Sequence, residues 1–247
     1  MIEQPATDNR QLGTIYGIGV GPGDPKLLTL QAVEVLRGVT AVLAPRSADD
    51  RESLALAIAR PHLPVSCTVL EATFPMISDP AVLARAWEEA ALLLLARAEQ
   101  GEATAFLTLG DAMLYSTWGY LLRALVRLCP QAPLVTIPGI TAMSACAAAM
   151  GTPLAEGRAP LLVWPDTPPA EISALLANAP NLVFMKAARH LRSLAVQTAR
   201  VGADAVAVRR CSLPDQAMTR ELTAWADDPD YFTTVLVHSA PRKEDEP

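Results

Sequence analysis

Little in this 247-residue chain announces a function by composition. Its three histidines, His62, His190 and His238, lie far apart and lack metal-ligand spacing, so no zinc or iron site is expected. The four cysteines, Cys67, Cys129, Cys146 and Cys211, form no CxxC pair and sit among apolar residues. They read as buried, reduced thiols and not as a disulfide framework. No apolar stretch reaches the roughly 18 residues of a membrane span. The richest, AALLLLARA, is interrupted by Arg97 and ended by Glu99, so no membrane partner is expected. The polar start MIEQPATDNRQ has no apolar signal region, which makes the cytoplasm the expected compartment. Positive charge is not in excess either. A net charge of −6 argues against a nucleic-acid binder, yet leaves room for an acidic small molecule at a local basic cluster.

What is present is alternation. TIYGIGV reads as a strand and 26–37 as a helix. VTAVLAP is a second strand, 51–60 a helix, and SCTVLEA a third strand. The segment 79–100 is a long helix, with Asp79 to cap it, Pro80 for its first turn and Gly101 after its last. ATAFLTLG is a fourth, buried strand, and 115–128 a helix on the pattern Leu121, Leu122, Leu125, Val126. CPQAP at 129–133 is the best linker candidate. Beyond it LVTIPG and ITAMSACAAAMG repeat the strand–turn–helix theme, and APLLVWP, NLVFMKA, DAVAVRR and YFTTVLVHS follow as strands. The expected fold class is α/β, in two α/β domains, 13–128 and 134–240.

The glycine-rich turn after the first strand, GIGVGPGDPKLLTL, invites a phosphate-binding reading. Spacing refuses it. A dinucleotide fingerprint begun at Gly17 and Gly19 places Pro22 at its third position, and one begun at Gly19 and Gly21 places Asp24 there. A Walker A loop needs Gly-Lys-Ser/Thr, but Lys26 follows Pro25. Two further turns also end a strand with glycine, TLGDAMLYST after the fourth strand and TIPGITAMSA after LVT. Ligands of open α/β sheets lie outside the carboxyl ends of strands. Three such turns at one end expose backbone N–H and C=O groups. They suit an adenine edge, ribose hydroxyls and an amino-acid end, and offer no positive charge for a triphosphate.

GIGVGPGDPKLLTL, LTLGDAMLYST and IPGITAMSACAAA resemble the three signature turns of the tetrapyrrole methyltransferases. APRSADDRESLALAIARPHL, EATFPMISD leading into AWEEA, YSTWGYL and GTPLAEG narrow the resemblance to the branch that methylates precorrin-2 at C20 in cobalamin biosynthesis. The resemblance covers residues 13 to 240. It implies S-adenosylmethionine as methyl donor, a tetrapyrrole substrate, no metal cofactor, a homodimer, and two α/β domains with the active site in the cleft between them. The first domain would supply the glycine-rich turn and the substrate side; the second would complete the cofactor site. Carried over by motif, the cofactor contacts fall on Pro22, Leu109, Gly110, Asp111, Leu114, Thr141, Ala142, Met185 and, less directly, Cys211. Ala112 stands where the family's usual Gly-Asp-Pro has proline, and the aspartate that related enzymes carry after the second strand is absent.

Three residues just after the Gly-Asp turn, Tyr115, Ser116 and Thr117, are the candidates for work on the substrate. Asp111 reads either as a turn-capping carboxylate or as a contact for the cofactor's amino-acid end. Met185 reads either as core or as a thioether packed on adenine. Arg46, Arg51, Arg209 and Arg210, near strand ends, are candidates for the substrate's carboxylates. The same family includes enzymes that methylate ribosomal RNA, and the acidic charge together with the Phe-Pro-Met and Tyr-Ser-Thr stretches count against that branch. A cobalt-containing form of the substrate remains open. A cofactor-binding protein without catalysis is the alternative outside the enzyme class.

Overall fold

The computed structural model describes residues 11–46, 53–75, 79–166 and 169–239. The chain divides into two compact units, one ending at Ile140 and the other beginning at Thr141.

The first unit is a wound parallel sheet. In chain order it contains β1 (Ile15–Gly19), α1 (Leu30–Gly38), β2 (Ala41–Arg46), α2 (Leu54–Ala59), β3 (Thr68–Thr73), α3 (Pro80–Ala98), β4 (Thr104–Thr108), α4 (Trp118–Leu128) and β5 (Leu134–Ile137). The strand order is β3-β2-β4-β1-β5, with every pairing parallel. Alternation along each strand sends side chains to two cores. Ile18, Val42, Ala105 and Leu107 pack with Leu36 of α1 and Ile58 of α2. Ile15, Leu43 and Phe106 pack on the other face with Leu94 of α3 and Leu121 and Leu125 of α4. Each such leucine, fully buried, contributes about 1.5–3 kcal/mol. Consequently β1 feeds a helix on one face and its neighbour β4 feeds a helix on the opposite face. That is a topological switch point, the place where open α/β sheets hold ligands.

Local chemistry sets the helix starts. Asp79 Oδ1 accepts from Ala81 N at 2.9 Å, so α3 begins as the sequence predicts. The predicted helix at 26–37 is instead two pieces. Asp24 caps a single 3₁₀ turn at Pro25–Leu27, and Thr29, in extended conformation, caps α1 anew by accepting from Ala32 N at 3.1 Å. The predicted helix at 115–128 starts late, at Trp118, because Tyr115 is left-handed (φ 49°) and Ser116 Oγ accepts from Trp118 N.

The expected boundary at 129–133 moves. β5 pairs with β1 in register from Ile15–Leu134 to Ile18–Ile137, and Ile15 N donates to Pro133 O. Residues 129–133 are therefore the loop from α4 into the first sheet, and LVTI belongs to the first unit. A proline-containing loop resembles a linker in sequence; strand pairing decides otherwise.

The second unit contains α5 (Ala142–Met150), β6 (Leu161–Pro165), α6 (Pro169–Asn178), β7 (Asn181–Met185), α7 (Leu191–Val201), β8 (Asp204–Arg209), β9 (Ala217–Thr219) and β10 (Thr233–His238). Its sheet runs β6-β7-β10-β8-β9. β6 and β7 are parallel, and β10 inserts antiparallel between β7 and β8. Ile172, Leu176, Leu191 and Leu194 of the two flanking helices pack on Leu182, Phe184, Val235 and Val237. Among the described residues, no helix is long and apolar enough to cross a membrane.

Candidate active site

At the carboxyl ends of their strands the glycine turns after β1 and β4 are bonded backbone to backbone, and the turn after β5 packs closely against both. Val20 N donates to Thr108 O, carrying the β1–β4 ladder one step past the strands. Gly21 and Gly110 then exchange both hydrogen bonds, Gly21 N to Gly110 O at 3.1 Å and Gly110 N to Gly21 O at 2.7 Å. Both residues are left-handed (φ 79° and 71°), which glycine adopts without steric cost. A Cβ on Gly139 would lie 2.2 Å from Gly110 O and 2.6 Å from Gly19 O; one on Gly19 would lie 2.8 Å from Gly139 N. No side chain fits where the three turns meet.

Asp111 ties them together. Its Oδ1 accepts from Met113 N at 2.8 Å and its Oδ2 from Gly139 N at 2.9 Å. Of the two readings of this residue, the turn-capping one describes what both oxygens do. Ser116 is also engaged: its Oγ lies 2.9 Å from Thr108 Oγ1 and accepts from Trp118 N at 3.1 Å. Trp118 is fully buried and donates from Nε1 to Thr136 Oγ1 at 2.8 Å, joining α4 to β5. Ser116 therefore anchors the helix start. Thr117, next to it, makes no side-chain cap. Tyr115 has a strained backbone and is 45% exposed. Pro22 is buried within its turn, while Leu109 and Leu114 are half-buried on either side of Gly110 and Asp111. Ala112, where the family pattern has proline, is fully buried.

In the second unit Thr141 caps α5, accepting from Ser144 N at 3.2 Å, and Ala142 is the first residue of that helix. Met185 ends β7, paired with Pro165 and Thr234, and its carbonyl accepts from Asp166 N. Cys211 follows β8, and its thiol is hydrogen-bonded to that of Cys146 on α5. The bond from Cys146 holds the Cys211 pKa below the usual thiol value, while the same bond and burial push Cys146 well above it. The expectation of buried, reduced thiols fits Cys146 and Cys211; Cys67 and Cys129 are free but only half-buried.

The arginines separate. Arg46 ends β2, at the same end of the sheet as the glycine turns, and is exposed. Arg51 lies outside the described residues. Arg209 pairs with Asp228 at 2.8 Å and stacks over Trp225, its centre 4.6 Å from the ring. Arg210 is left-handed (φ 51°), and its Nε lies 2.6 Å from Asp215 Oδ2. The Asp215 carboxylate raises the Arg210 pKa, and Arg210 holds Asp215 below the usual carboxylate range. Both arginines therefore already hold a carboxylate of this chain.

Sequence reasoning missed the interlock at Gly19 and Gly139, although glycines at both strand ends were its signal. It also missed the pair formed by His190 Nε2 and Asp166 Oδ1 at 3.1 Å, which two residues 24 apart do not advertise. Among the described residues, no group of three His, Cys, Asp or Glu is arranged to hold a metal ion.

A parallel sheet whose glycine turns meet at a switch point, with neither a Walker A loop nor a dinucleotide fingerprint, defines a class of open α/β proteins whose ligand position is rimmed by close-packed backbone. The sequence pattern of the Tetrapyrrole (Corrin/Porphyrin) Methylases matches residues 14–225, and the chain belongs to that family. It is 36% identical over 231 residues to the cobalt-precorrin-2 C(20)-methyltransferase of Salmonella typhimurium, covering 92% of this chain and 96% of that one. It is 32% identical over 237 residues to the precorrin-2 C(20)-methyltransferase of a Sinorhizobium species, covering 92% and 95%. The fold matches that of uroporphyrin-III C-methyl transferase from Thermus thermophilus in complex with S-adenyl homocysteine, with a TM-score of 0.63, 19% identity, and 92% and 97% of the two chains covered.

Proposed function

We propose that this chain is an S-adenosylmethionine-dependent methyltransferase acting at C20 of precorrin-2, giving precorrin-3A in cobalamin biosynthesis. The observation that carries the reading is the identity with the Salmonella enzyme, which runs along nearly the whole of both chains. The turn chemistry supports it. S-adenosylmethionine presents hydroxyls, an adenine edge and an amino-acid end, and needs main-chain partners more than positive charge. The cradle of Gly21, Gly110 and Gly139 is of that kind, and the space where a Gly110 Cβ would stand is open.

Bound there, S-adenosylmethionine supplies an electrophilic methyl group on a sulfonium, whose transfer leaves a neutral thioether. No acid is then required, and the protein's work is alignment of the ring carbon with the methyl–sulfur axis. In the first unit Pro22, Leu109, Gly110, Asp111 and Leu114 form the cofactor's wall, and Asp111 fixes its shape. In the second, Thr141, Ala142, Met185 and Cys211 contribute contacts from the start of α5 and the ends of β7 and β8. Tyr115 orients the macrocycle; Thr117 flanks it. Arg46 and Arg51 take substrate carboxylates. The proton lost from the ring after methylation passes to water or a nearby base. The same reading makes the enzyme a cytoplasmic homodimer with no nucleic-acid or membrane partner.

The Salmonella relative is named for the cobalt form and the Sinorhizobium relative for the metal-free form. Purified enzyme is incubated with S-adenosylmethionine and either precorrin-2 or its cobalt-bound counterpart, and the products are weighed by mass spectrometry. One added methyl on either substrate supports the proposal, and the faster substrate is the natural one. Calorimetry detecting S-adenosylhomocysteine binding with no turnover on either would instead leave a binding protein.

A further inference from the structure

A groove of about 560 Å³ runs between α6 and α7 on the second unit. Arg189, Arg192 and Arg200 line it, with Ser173, Ser193 and Gln197 beside them. Positions 189, 192, 193, 196, 197 and 200 recur at three- and four-residue spacing, so they form one stripe along α7 and the turn before it. All three arginines are exposed. Asp227 holds Arg192 at 2.7 Å, whereas Arg189 and Arg200 form no ion pair among the described residues. None of the described lining residues carries a carboxylate. In a chain of net charge −6, three like charges on one stripe repel one another, and two of them have no carboxylate partner among the described residues.

The dimensions select the ligand. Arg200 stands eleven positions after Arg189, roughly 16 Å along a helix. A single phosphate or carboxylate cannot bridge that span, so the complement carries several anions in a row. Among the described lining residues there is no aromatic ring and Val196 is the one apolar side chain, so they give a flat macrocycle nothing to stack on. Acidic side chains on one face of an extended segment repeat roughly every 6.6 Å, so the first and third of a row stand about 13 Å apart, and the long arginine side chains make up the remaining difference of about 3 Å. Between them Gln197 donates to Ser193 Oγ at 3.0 Å and accepts from Ser173 Oγ, a polar floor that carries no charge. We propose that this groove docks an acidic segment of a partner protein, with Arg189 and Arg200 taking its carboxylates. The inference does not rest on the methyl-transfer reading.

A fluorescein-labelled oligoglutamate peptide, an oligothymidylate and inorganic phosphate are titrated against the full chain, the first two followed by anisotropy and phosphate by calorimetry. The full chain binds oligoglutamate, and binding weakens as salt rises. An exposed ion pair contributes about 0.2–1 kcal/mol, so Arg189→Gln with Arg200→Gln weakens binding about two- to thirtyfold with Tm and methyl transfer unchanged. Val196→Glu, which places an acid in the groove, weakens it as well. Absence of oligoglutamate binding, undiminished binding by the double variant, or tighter binding of oligothymidylate or phosphate than of oligoglutamate overturns the proposal.

Discussion

Tyr115 holds φ at 49°, a conformation that costs a bulky L-residue of order 1–2 kcal/mol. Glycine at that position relieves the strain, so Tyr115→Gly raises stability by up to about 1 kcal/mol in a thermal scan. Turnover falls at the same time if the ring orients the macrocycle; unchanged turnover removes Tyr115 from the reaction. Asp111 carries the opposite prediction. Asparagine can accept only one of the two backbone N–H groups now held by the carboxylate, and its amide hydrogens face the other donor. Asp111→Asn therefore costs about 1.5–3 kcal/mol, and affinity for S-adenosylhomocysteine falls with it, read by calorimetry and thermal denaturation. At the thiol pair, loss of the Cys146 bond lets the Cys211 pKa rise. Thiolate absorbance in Cys146→Ala then develops at higher pH than in the parent chain. An unshifted or lower titration would show that Cys146 does not hold Cys211 down.

At the scale of elements, close backbone approach explains glycines that no motif accounts for. A Cβ on Gly17 would lie 2.0 Å from the Trp118 ring, so β1 and α4 are matched through one glycine and one indole. Gly17→Ala is destabilising by about 1–3 kcal/mol, as overpacked cores are, and Trp118→Leu in the same chain recovers part of the loss. Urea titration of the two single variants and the double variant checks it; strict additivity contradicts the matched pair. These strands and helices were legible because alternation and capping are local: Asp79, Pro80 and Gly101 mark α3 almost to the residue. The late start of α4 was not legible, since a left-handed tyrosine has no sequence signal. The roles of Asp111 and Ser116 were only half legible, because their partners, Gly139 and Thr108, are brought near by sheet order and not by sequence distance.

At the scale of the molecule, the division into two α/β units is readable from the alternation of elements, and its position is not. Residues 129–133 have the composition of a linker, yet β5 completes the first sheet beside β1, and the chain divides at Ile140. Strand direction came only from the pairing itself, parallel throughout the first sheet and, in the second, antiparallel where β10 inserts between β7 and β8. The identity of the substrate rests on motifs spread along the whole chain and on relatives of matching length, not on any single side chain. Its most direct test is the position of the transferred carbon. Purified enzyme is supplied with precorrin-2 or its cobalt form and with S-adenosylmethionine carrying a ¹³C-methyl group, and the product is examined by NMR. The account predicts one labelled methyl, coupled to C20 of the macrocycle. A label on any other ring carbon, or an unlabelled macrocycle after full incubation with both substrates, contradicts it.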